Sequence, residues 1–464
     1  MKNLLKYIKT YKVHAILAPT FKLLEALLEL FIPLIVASII DKGIDNHDIS
    51  YIIIMVIVMM TSGLIGLIFS ITGQYFSAKT AVGCATKLRY DLFKKIQTLT
   101  FTDIDKLGTS SMITRMTSDI NQVQTGINLT LRLFLRSPFV VFGAAIFASI
   151  VAPSLSYIFI ITIPLLSIII FGIMLITIPM HKKTQEHLDK VVLSTKENLT
   201  GVRVIRAFTK EDEEIEEYDE YTRNYEKRQN KVGHISNLMN PLTYIIINVA
   251  IILLIYVGAI NVEIGILNQG IVIAVYNYMS QILVELIKLA NLIITITKSL
   301  ASSKRIFNVL EMKSTVSVEK CEKHNNLPYI VFDKVSMMYE GDLENTLDDI
   351  SFTVNKGEVI GIIGGTGSGK SSLVNLIPRF YDATQGEVLV DGINVNSYPK
   401  QQLRDKISIV MQKPFLIEDS IENNLVMGRT VSEEVITEAI RASQSSEIIA
   451  SKKLGLREKV ERNG

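Results

Sequence analysis

Over the first 300 residues, apolar and polar positions fall in long blocks rather than alternating with the period of a strand. Six apolar runs, at roughly 16–40, 51–73, 130–151, 155–178, 242–260 and 271–296, each approach or exceed the length a helix needs to cross a bilayer. Six crossings return the chain to its starting side. The connections on the far side, 41–50, 152–154 and 261–270, hold one basic residue, Lys42. Lys79, Lys87, Arg89, Lys94, Lys95, Lys106 and Arg115 lie instead between the second and third runs, and Lys182, Lys183 and Lys190 between the fourth and fifth. Basic residues stay on the cytosolic side, so both termini and both long connections are expected there. Those connections, about 55 and 60 residues, keep a helical period without Pro or Gly clusters, which predicts helices that continue the spans. The run Glu211-Asp212-Glu213-Glu214-Ile215-Glu216-Glu217 reads as a solvated helix face. At the start, Leu4, Leu5 and Ile8 oppose Lys2, Lys6 and Lys9, the pattern of an amphipathic helix in the cytosolic interface or of a polar lead-in to the first span. It is not that of a secretory signal.

The pattern changes after Ser299. Residues 1–310 form the membrane region, 311–326 read as a linker, and 327–464 carry short strand patterns. Tyr329-Ile330-Val331-Phe332 and Ile350-Ser351-Phe352-Thr353-Val354 alternate, and Gly386-Glu387-Val388-Leu389-Val390-Asp391-Gly392 reads as strand and turn. Glu358-Val359-Ile360-Gly361-Ile362-Ile363 reads as a buried strand. It leads into Gly364-Gly365-Thr366-Gly367-Ser368-Gly369-Lys370-Ser371, and Ser372-Leu373-Val374-Asn375-Leu376-Ile377 reads as a helix start. Strand, glycine-rich loop and helix together make a phosphate cradle. Backbone N–H groups can wrap an anion closely where side chains are absent, Lys370 would reach the terminal phosphates, and Ser371 would put its hydroxyl on Mg2+. The fold class is therefore an α-helical membrane domain of six spans with long cytosolic extensions, followed by an incomplete α/β P-loop domain.

Composition sharpens this picture. Of 464 residues 48% are hydrophobic and 20% charged, a membrane-like balance. A net charge of +2, without basic runs interleaved with aromatics, argues against nucleic acid as a partner. Cys84 and Cys321, both in segments expected to be cytosolic, cannot make a disulfide framework and read as reduced thiols.

Six spans fused ahead of a P-loop domain resemble an exporter-type half-transporter of the ABC transporter superfamily, over essentially the whole chain. Gln412, in Ile409-Val410-Met411-Gln412-Lys413-Pro414, matches the family's Q-loop and is followed by Ser420-Ile421-Glu422-Asn423-Asn424-Leu425, similar to its T-I-x-E-N-I segment. Tyr339 sits where the family places an aromatic that stacks on adenine. Arg115-Met116-Thr117-Ser118-Asp119 and Gly201-Val202-Arg203-Val204-Ile205-Arg206-Ala207-Phe208 are similar to parts of the loops that carry coupling helices. The resemblance implies ATP and Mg2+ as cofactors, with Tyr339, Gly364, Gly365, Thr366, Gly367, Ser368, Gly369, Lys370, Ser371 and Ser372 holding the nucleotide. Ser371 and Gln412 would hold the metal, and Gln412 would also act in catalysis. It implies ATP-driven export of a small molecule, drug, lipid or peptide across the cell membrane, with a second half-transporter as partner. The wording of 363–373 and of Leu376-Ile377-Pro378-Arg379 is closest to bacterial multidrug exporters that pair two different chains, which places a heterodimer ahead of a homodimer. The alternative is a membrane-anchored nucleotide-binding protein that signals or assembles and moves nothing.

The pattern then departs from the family. No L-S-G-G-Q signature, Asp-Glu strand end or switch His follows Gln412, which implies a chain truncated before the signature and inactive alone. The segment 360–363 would then lack strand neighbours and expose apolar surface. Asp391 is rejected as a metal ligand because Gly392 follows it in a hairpin. Within the spans, Glu285 and Lys288 share a helix face and read as a structural pair. Glu25 and Glu29 lie one turn apart near Lys22 and read either as paired or as the wall of a cation-preferring cavity.

Overall fold

The structure, a computed structural model, describes residues 2–312, 327–339, 341–412 and 415–461, without the side chains of residues 2, 3 and 400. The expected linker, apart from residues 311 and 312, lies outside the described residues. So do Cys321, Lys413, Pro414 and the last three residues. The chain divides into two compact units, Met1–Leu99 with Asp103–Ser314, and Thr100–Thr102 with Thr315–Gly464.

The first unit is helical. After α1 (Lys2–Lys9) comes α2 (Lys12–Ser38), which runs on as a wider π turn over Ile39–Ile44. The Asp48 carboxylate accepts from Tyr51 N (3.0 Å) and caps α3 (Ile49–Ile96). Short helices α4 (Phe101–Leu107) and α5 (Thr109–Thr114) lead through a π turn to α6 (Ile120–Leu133) and α7 (Arg136–Val151). Pro153 opens the turn before α8 (Ser156–Ala207), and α9 (Glu211–Asn237), α10 (Met239–Glu263) and α11 (Gln269–Leu310) complete the unit. Among the described residues six helical stretches are long and apolar enough to span a membrane: Lys12–Ile44, Ile49–Ile96, Thr109–Val151, Pro153–Ala207, Glu211–Glu263 and Gln269–Leu310. Each contains one of the six apolar runs, and four extend far past it, as the helical period of the connections predicts. The most apolar window of α3 buries none of its residues, so Ile54, Ile57, Leu64, Ile68 and Ile71 face outward. Water would not tolerate that stripe and lipid does.

Two cores organise the unit. Around the spans, Leu30, Phe159, Leu166, Ile170, Leu254, Tyr278 and Ile282 are fully buried. The Tyr278 hydroxyl donates to Leu30 O (2.6 Å), which joins α2 to α11. Near the start of α11 the same two segments approach until Gly270 N donates to Asp41 Oδ1 (2.6 Å), and a Cβ on Gly270 would lie 2.4 Å from Ala37 O. The second core, toward the cytosolic end, gathers Leu88 and Leu92 of α3, Ile120 and Val123 of α6, and Ile306 and Val309 of α11. Here α1 finds its place. Tyr7 is buried, 6.0 Å ring to ring from Phe307, and its hydroxyl donates to Asp91 Oδ2 (2.8 Å), while Leu5 points outward. The expected amphipathic helix forms, but part of its apolar face docks on protein, through an aromatic residue that the Leu/Lys pattern did not single out. Cys84 belongs to this core at 1% exposure. Burial pushes its thiol up to about 11, against the opposing charge of Lys87. In a Cys321→Ser background, iodoacetamide at pH 8 should label Cys84 at least about a hundredfold more slowly than a free cysteine peptide, because the thiolate is the nucleophile, and labelling should accelerate as pH rises toward 11. Labelling at the free-peptide rate would show that this core opens.

The second unit is built on β1 (Ile330–Met337), β2 (Leu347–Val354), β3 (Gln385–Val390) and β4 (Ile393–Asn394), in the order β2-β1-β3-β4 with every pair antiparallel. Phe332 pairs with Phe352 on one side and Val388 on the other, its ring stacked 4.5 Å from that of Phe352. Leu373 and Leu376 of α12 (Lys370–Leu376) pack with Phe332, Val335, Val388 and Val390. The buried strand expected over 358–363 is not formed. The segment carries no strand, and Val359 and Ile363 are 98% and 97% exposed. A parallel strand buried on both faces needs a neighbour on each side, and among the described residues none is paired with it. The second expectation for this segment, exposed apolar surface without strand partners, describes it correctly. Val410, in the irregular stretch before Gln412, is exposed to the same degree, at 97%.

Candidate functional site

The glycine-rich loop follows an irregular lead-in through Gly365 and turns over Thr366-Gly367-Ser368-Gly369 into α12. Gly369 makes the entry possible. Its φ is +83°, and a Cβ there would meet Leu347 Cδ2 at 2.8 Å and Thr346 O at 2.9 Å. The Lys370 ammonium folds back over the loop, donating to Gly364 O (2.8 Å) and Gly365 O (2.5 Å), with Ser368 Oγ at 3.3 Å. Among the described residues no carboxylate pairs with Lys370. A cation held only by neutral oxygens, on a loop whose residues 361–368 are exposed, is a donor set that fits an anion such as a phosphate chain.

Around this loop the sequence-derived site residues divide. Tyr339 lies beside it. Its hydroxyl and that of Ser372, inside α12, are 2.9 Å apart, and its ring lies nearly perpendicular to that of Tyr381, with centroids 5.1 Å apart. Ser372 is therefore buried and engaged with Tyr339, whereas the Ser371 hydroxyl is exposed. Gln412 is exposed, and no hydrogen bond joins it to 364–372 among the described residues. Asp391 sits at φ +53° in the turn between β3 and β4, where its Oδ2 takes Lys406 Nζ at 2.6 Å and raises the pKa of that lysine, a role in keeping with its rejection as a metal ligand. Of the two segments that resemble coupling loops, Arg115–Asp119 is a π turn. Asp119 is buried there and receives both Nε and Nη2 of Arg305. Burial alone would raise the Asp119 pKa, but hydrogen bonds from Arg305 and Ser302 hold the carboxyl below the usual carboxylate range. The second segment, 201–208, closes α8 with Val204 and Phe208 exposed.

Comparison with known proteins decides what this assembly is. Residues 15–286, more than half of the chain, match the family described as the ABC transporter transmembrane region, and residues 347–462 match the ABC transporter family. The chain belongs to the ABC transporters. It is 29% identical over 450 residues to the uncharacterized ABC transporter ATP-binding protein YfiB of Bacillus subtilis, covering 97% of this chain and 78% of that protein. Over 466 residues it is 27% identical to the uncharacterized ABC transporter ATP-binding protein Mb1304c of Mycobacterium bovis, with 99% of this chain and 80% of that one covered. An ATP-dependent lipid A-core flippase of Mannheimia succiniciproducens is 26% identical over 468 residues, 100% of this chain and 80% of that protein. This ABC transporter is thus a multi-pass membrane protein with cytosolic extensions, a nucleotide-binding member of an ATPase family, and a constituent of a dimeric transporter that works in ATP-driven transport.

Inside the membrane region of the transporter, the spans hold a charge network centred on a residue that sequence reasoning missed. Arg136, near the start of α7, donates through Nη1 to Glu285 Oε1 (2.8 Å) and through Nη2 to Glu29 Oε2 (2.5 Å). Lys288 Nζ donates to the same Glu285 Oε1 (2.8 Å), the pair expected from their shared face. Lys22 takes Glu25 Oε2 at 2.6 Å and reaches Ser70 Oγ of α3 at 3.0 Å. Of the two readings of Glu25 and Glu29, pairing is the one the structure supports, since Glu25 has Lys22 and Glu29 has Arg136. The signal for Arg136 was present: an arginine inside an apolar run needs an acidic partner on a neighbouring helix, and Glu29 and Glu285 were the candidates.

Proposed function

We propose that this chain is one half of an exporter, moving a small molecule, drug, lipid or peptide outward by alternating access, with the partner half a different chain. The observation that carries the nucleotide part is the Lys370 ammonium, held over the glycine loop without a carboxylate partner among the described residues. Within this reading Lys370 and the loop 364–369 bind the phosphates of ATP, and the Tyr339 ring, fixed through Ser372, offers its face to adenine. Ser371 and Gln412 would hold Mg2+, which shields the charge of the phosphates. Gln412, exposed on an irregular stretch, would have to approach the loop to do so. The signature, the Asp-Glu strand end and the switch His do not occur after Gln412 in the 464 residues. Support for export comes from six spans with long cytosolic helices on the same chain as the P-loop, since an anchor alone needs a single span. The test is ATP-dependent movement of fluorescent lipids and drugs in inside-out vesicles from cells producing the transporter. Accumulation that requires ATP and is lost in Lys370→Ala is expected. Nucleotide binding without any flux would favour the anchored alternative.

A further inference from the structure

The corner between α1 and α2 gathers positive charge that no carboxylate answers. It lies along α3 at Gly83, where a Cβ would sit 2.4 Å from Tyr11 Cζ, so the Tyr11 ring takes the space that the glycine leaves. To one side of that contact Lys87 Nζ donates to Thr10 Oγ1 at 3.4 Å, and to the other the His14 and Phe76 rings are 5.5 Å apart. Lys79 and Lys87 flank Gly83 by four residues each way, about 12 Å apart along the helix. Lys79 Nζ stands 5.5 Å from the centre of the Tyr75 ring and 3.5 Å from its hydroxyl. Lys9 and Lys12 adjoin Thr10 and Tyr11, and Lys6 precedes them on α1. All five lysines are exposed, and among the described residues none pairs with a carboxylate. The sequence offers none close by. No Asp or Glu occurs in residues 1–24 or 49–90, and Asp91, the next on α3, is engaged by the Tyr7 hydroxyl.

Apolar side chains are exposed among these cations: Leu5 at 52%, Val13 at 58%, Ile16 at 66% and Val82 at 49%. The mixture lies where the first span begins and the second ends, on the cytosolic side. It suits a surface that is anionic at the headgroups and apolar beneath them. A soluble polyanion would answer the charge and leave Leu5, Val13 and Val82 in water. The bias of basic residues toward the cytosol orients a chain and asks for no particular lipid, whereas lysines fixed on one folded corner do. The geometry points to a docking surface for anionic phospholipid headgroups of the cytosolic leaflet, with Lys79 and Lys87 supplied by α3 and Lys9 and Lys12 by the corner packed against it. This partner lies outside the export reading and stands whether or not the transporter moves a cargo.

The chain has no tryptophan, so a single one placed on α3 senses its lipid neighbours without background. Val82→Trp stands between Lys79 and Lys87, and Ile57→Trp, also exposed on α3, lies toward the far side. The full chain carrying either reporter is placed in vesicles of phosphatidylglycerol and phosphatidylcholine, with one lipid or the other dibrominated, and quenching gives their relative occupancy. At Val82→Trp phosphatidylglycerol is expected to be favoured at least about fivefold at about 0.1 M salt, the effect of roughly one lysine at a charged surface. At Ile57→Trp the ratio should stay below about twofold. Lys79→Gln with Lys87→Gln should bring the Val82→Trp ratio to about twofold or less, and Lys9→Gln with Lys12→Gln gives the same reading should the first pair fold poorly. About 1 M salt, with a Debye length of about 3 Å, should also lower it. Equal occupancy by the two lipids at Val82→Trp, the same preference at both reporters, or an undiminished ratio in both glutamine pairs overturns the proposal. Loss of the preference to inorganic phosphate at matched ionic strength also overturns it, because the surface would then be a site for a free anion and not for the leaflet.

Discussion

Lys370→Ala is expected to abolish ATP turnover by the assembled transporter and to weaken binding of a fluorescent ATP analogue to the chain by at least about tenfold, the lower end of what a charge-assisted hydrogen bond contributes. Among the described residues the ammonium hydrogen-bonds to the loop alone, at Gly364 O, Gly365 O and Ser368 Oγ, so its removal is expected to leave the packing of Leu373 and Leu376 intact. Membrane insertion and thermal stability should therefore match the unmodified protein. Any fall in binding then belongs to the lost positive charge. Turnover near the original rate would show that the glycine loop is not where the phosphates sit.

The second large effect is on stability. Among the described residues Arg136→Met leaves Glu285, 3% exposed, with Lys288 alone and Glu29 with no cation. Removing one partner of a buried pair costs about 3–5 kcal/mol. Lys288 remains and the Glu29 side chain is 35% exposed, so the lower end is expected, a fall of about 5 °C or more in the apparent unfolding midpoint in lipid. The double variant Arg136→Met with Glu285→Met should recover much of the loss, because both members of the most buried pair are then gone. A midpoint within about 1 °C of the parent for the single variant would mean that water already solvates these groups.

How far the sequence disclosed this architecture depends on the range of the interactions. The six spans, the helices that extend them, the β3–β4 turn and the start of α12 follow from local periodicity and turn chemistry, and each forms where those place it. The Glu285–Lys288 pair, three residues apart on one helix, was legible for the same reason. What escaped needed contacts distant in sequence. Arg136 joins Glu29 and Glu285, 107 and 149 residues away, and the hydroxyl of Tyr339 meets Ser372 across 33. The segment 358–363 failed as a strand because composition gives β preference but strand pairing needs a neighbour. Tyr7 was passed over since a lone aromatic among lysines has no pattern, although its hydroxyl on Asp91 and its ring near Phe307 anchor the whole of α1.

The pair α8 and α9 has a mechanical meaning. Beyond Pro179 the two helices run as a hairpin that buries Thr184, Ser194 and Val232 along its length, while the first half of α8 is held at Phe159, Leu166, Ile170 and Met174. Pro179 has no N–H to give to Leu175 O, as Pro164 has none for Ile160 O, and of the two it is Pro179 that lies where the rod leaves the packed half. From there to Ala207 is roughly 42 Å of helix, at about 1.5 Å per residue. This is a lever with its fulcrum at the membrane edge. A tilt of about five degrees at the proline carries the far end by roughly 4 Å over that length, and neither arm has to break a contact within itself for Thr209 and Lys210 to travel.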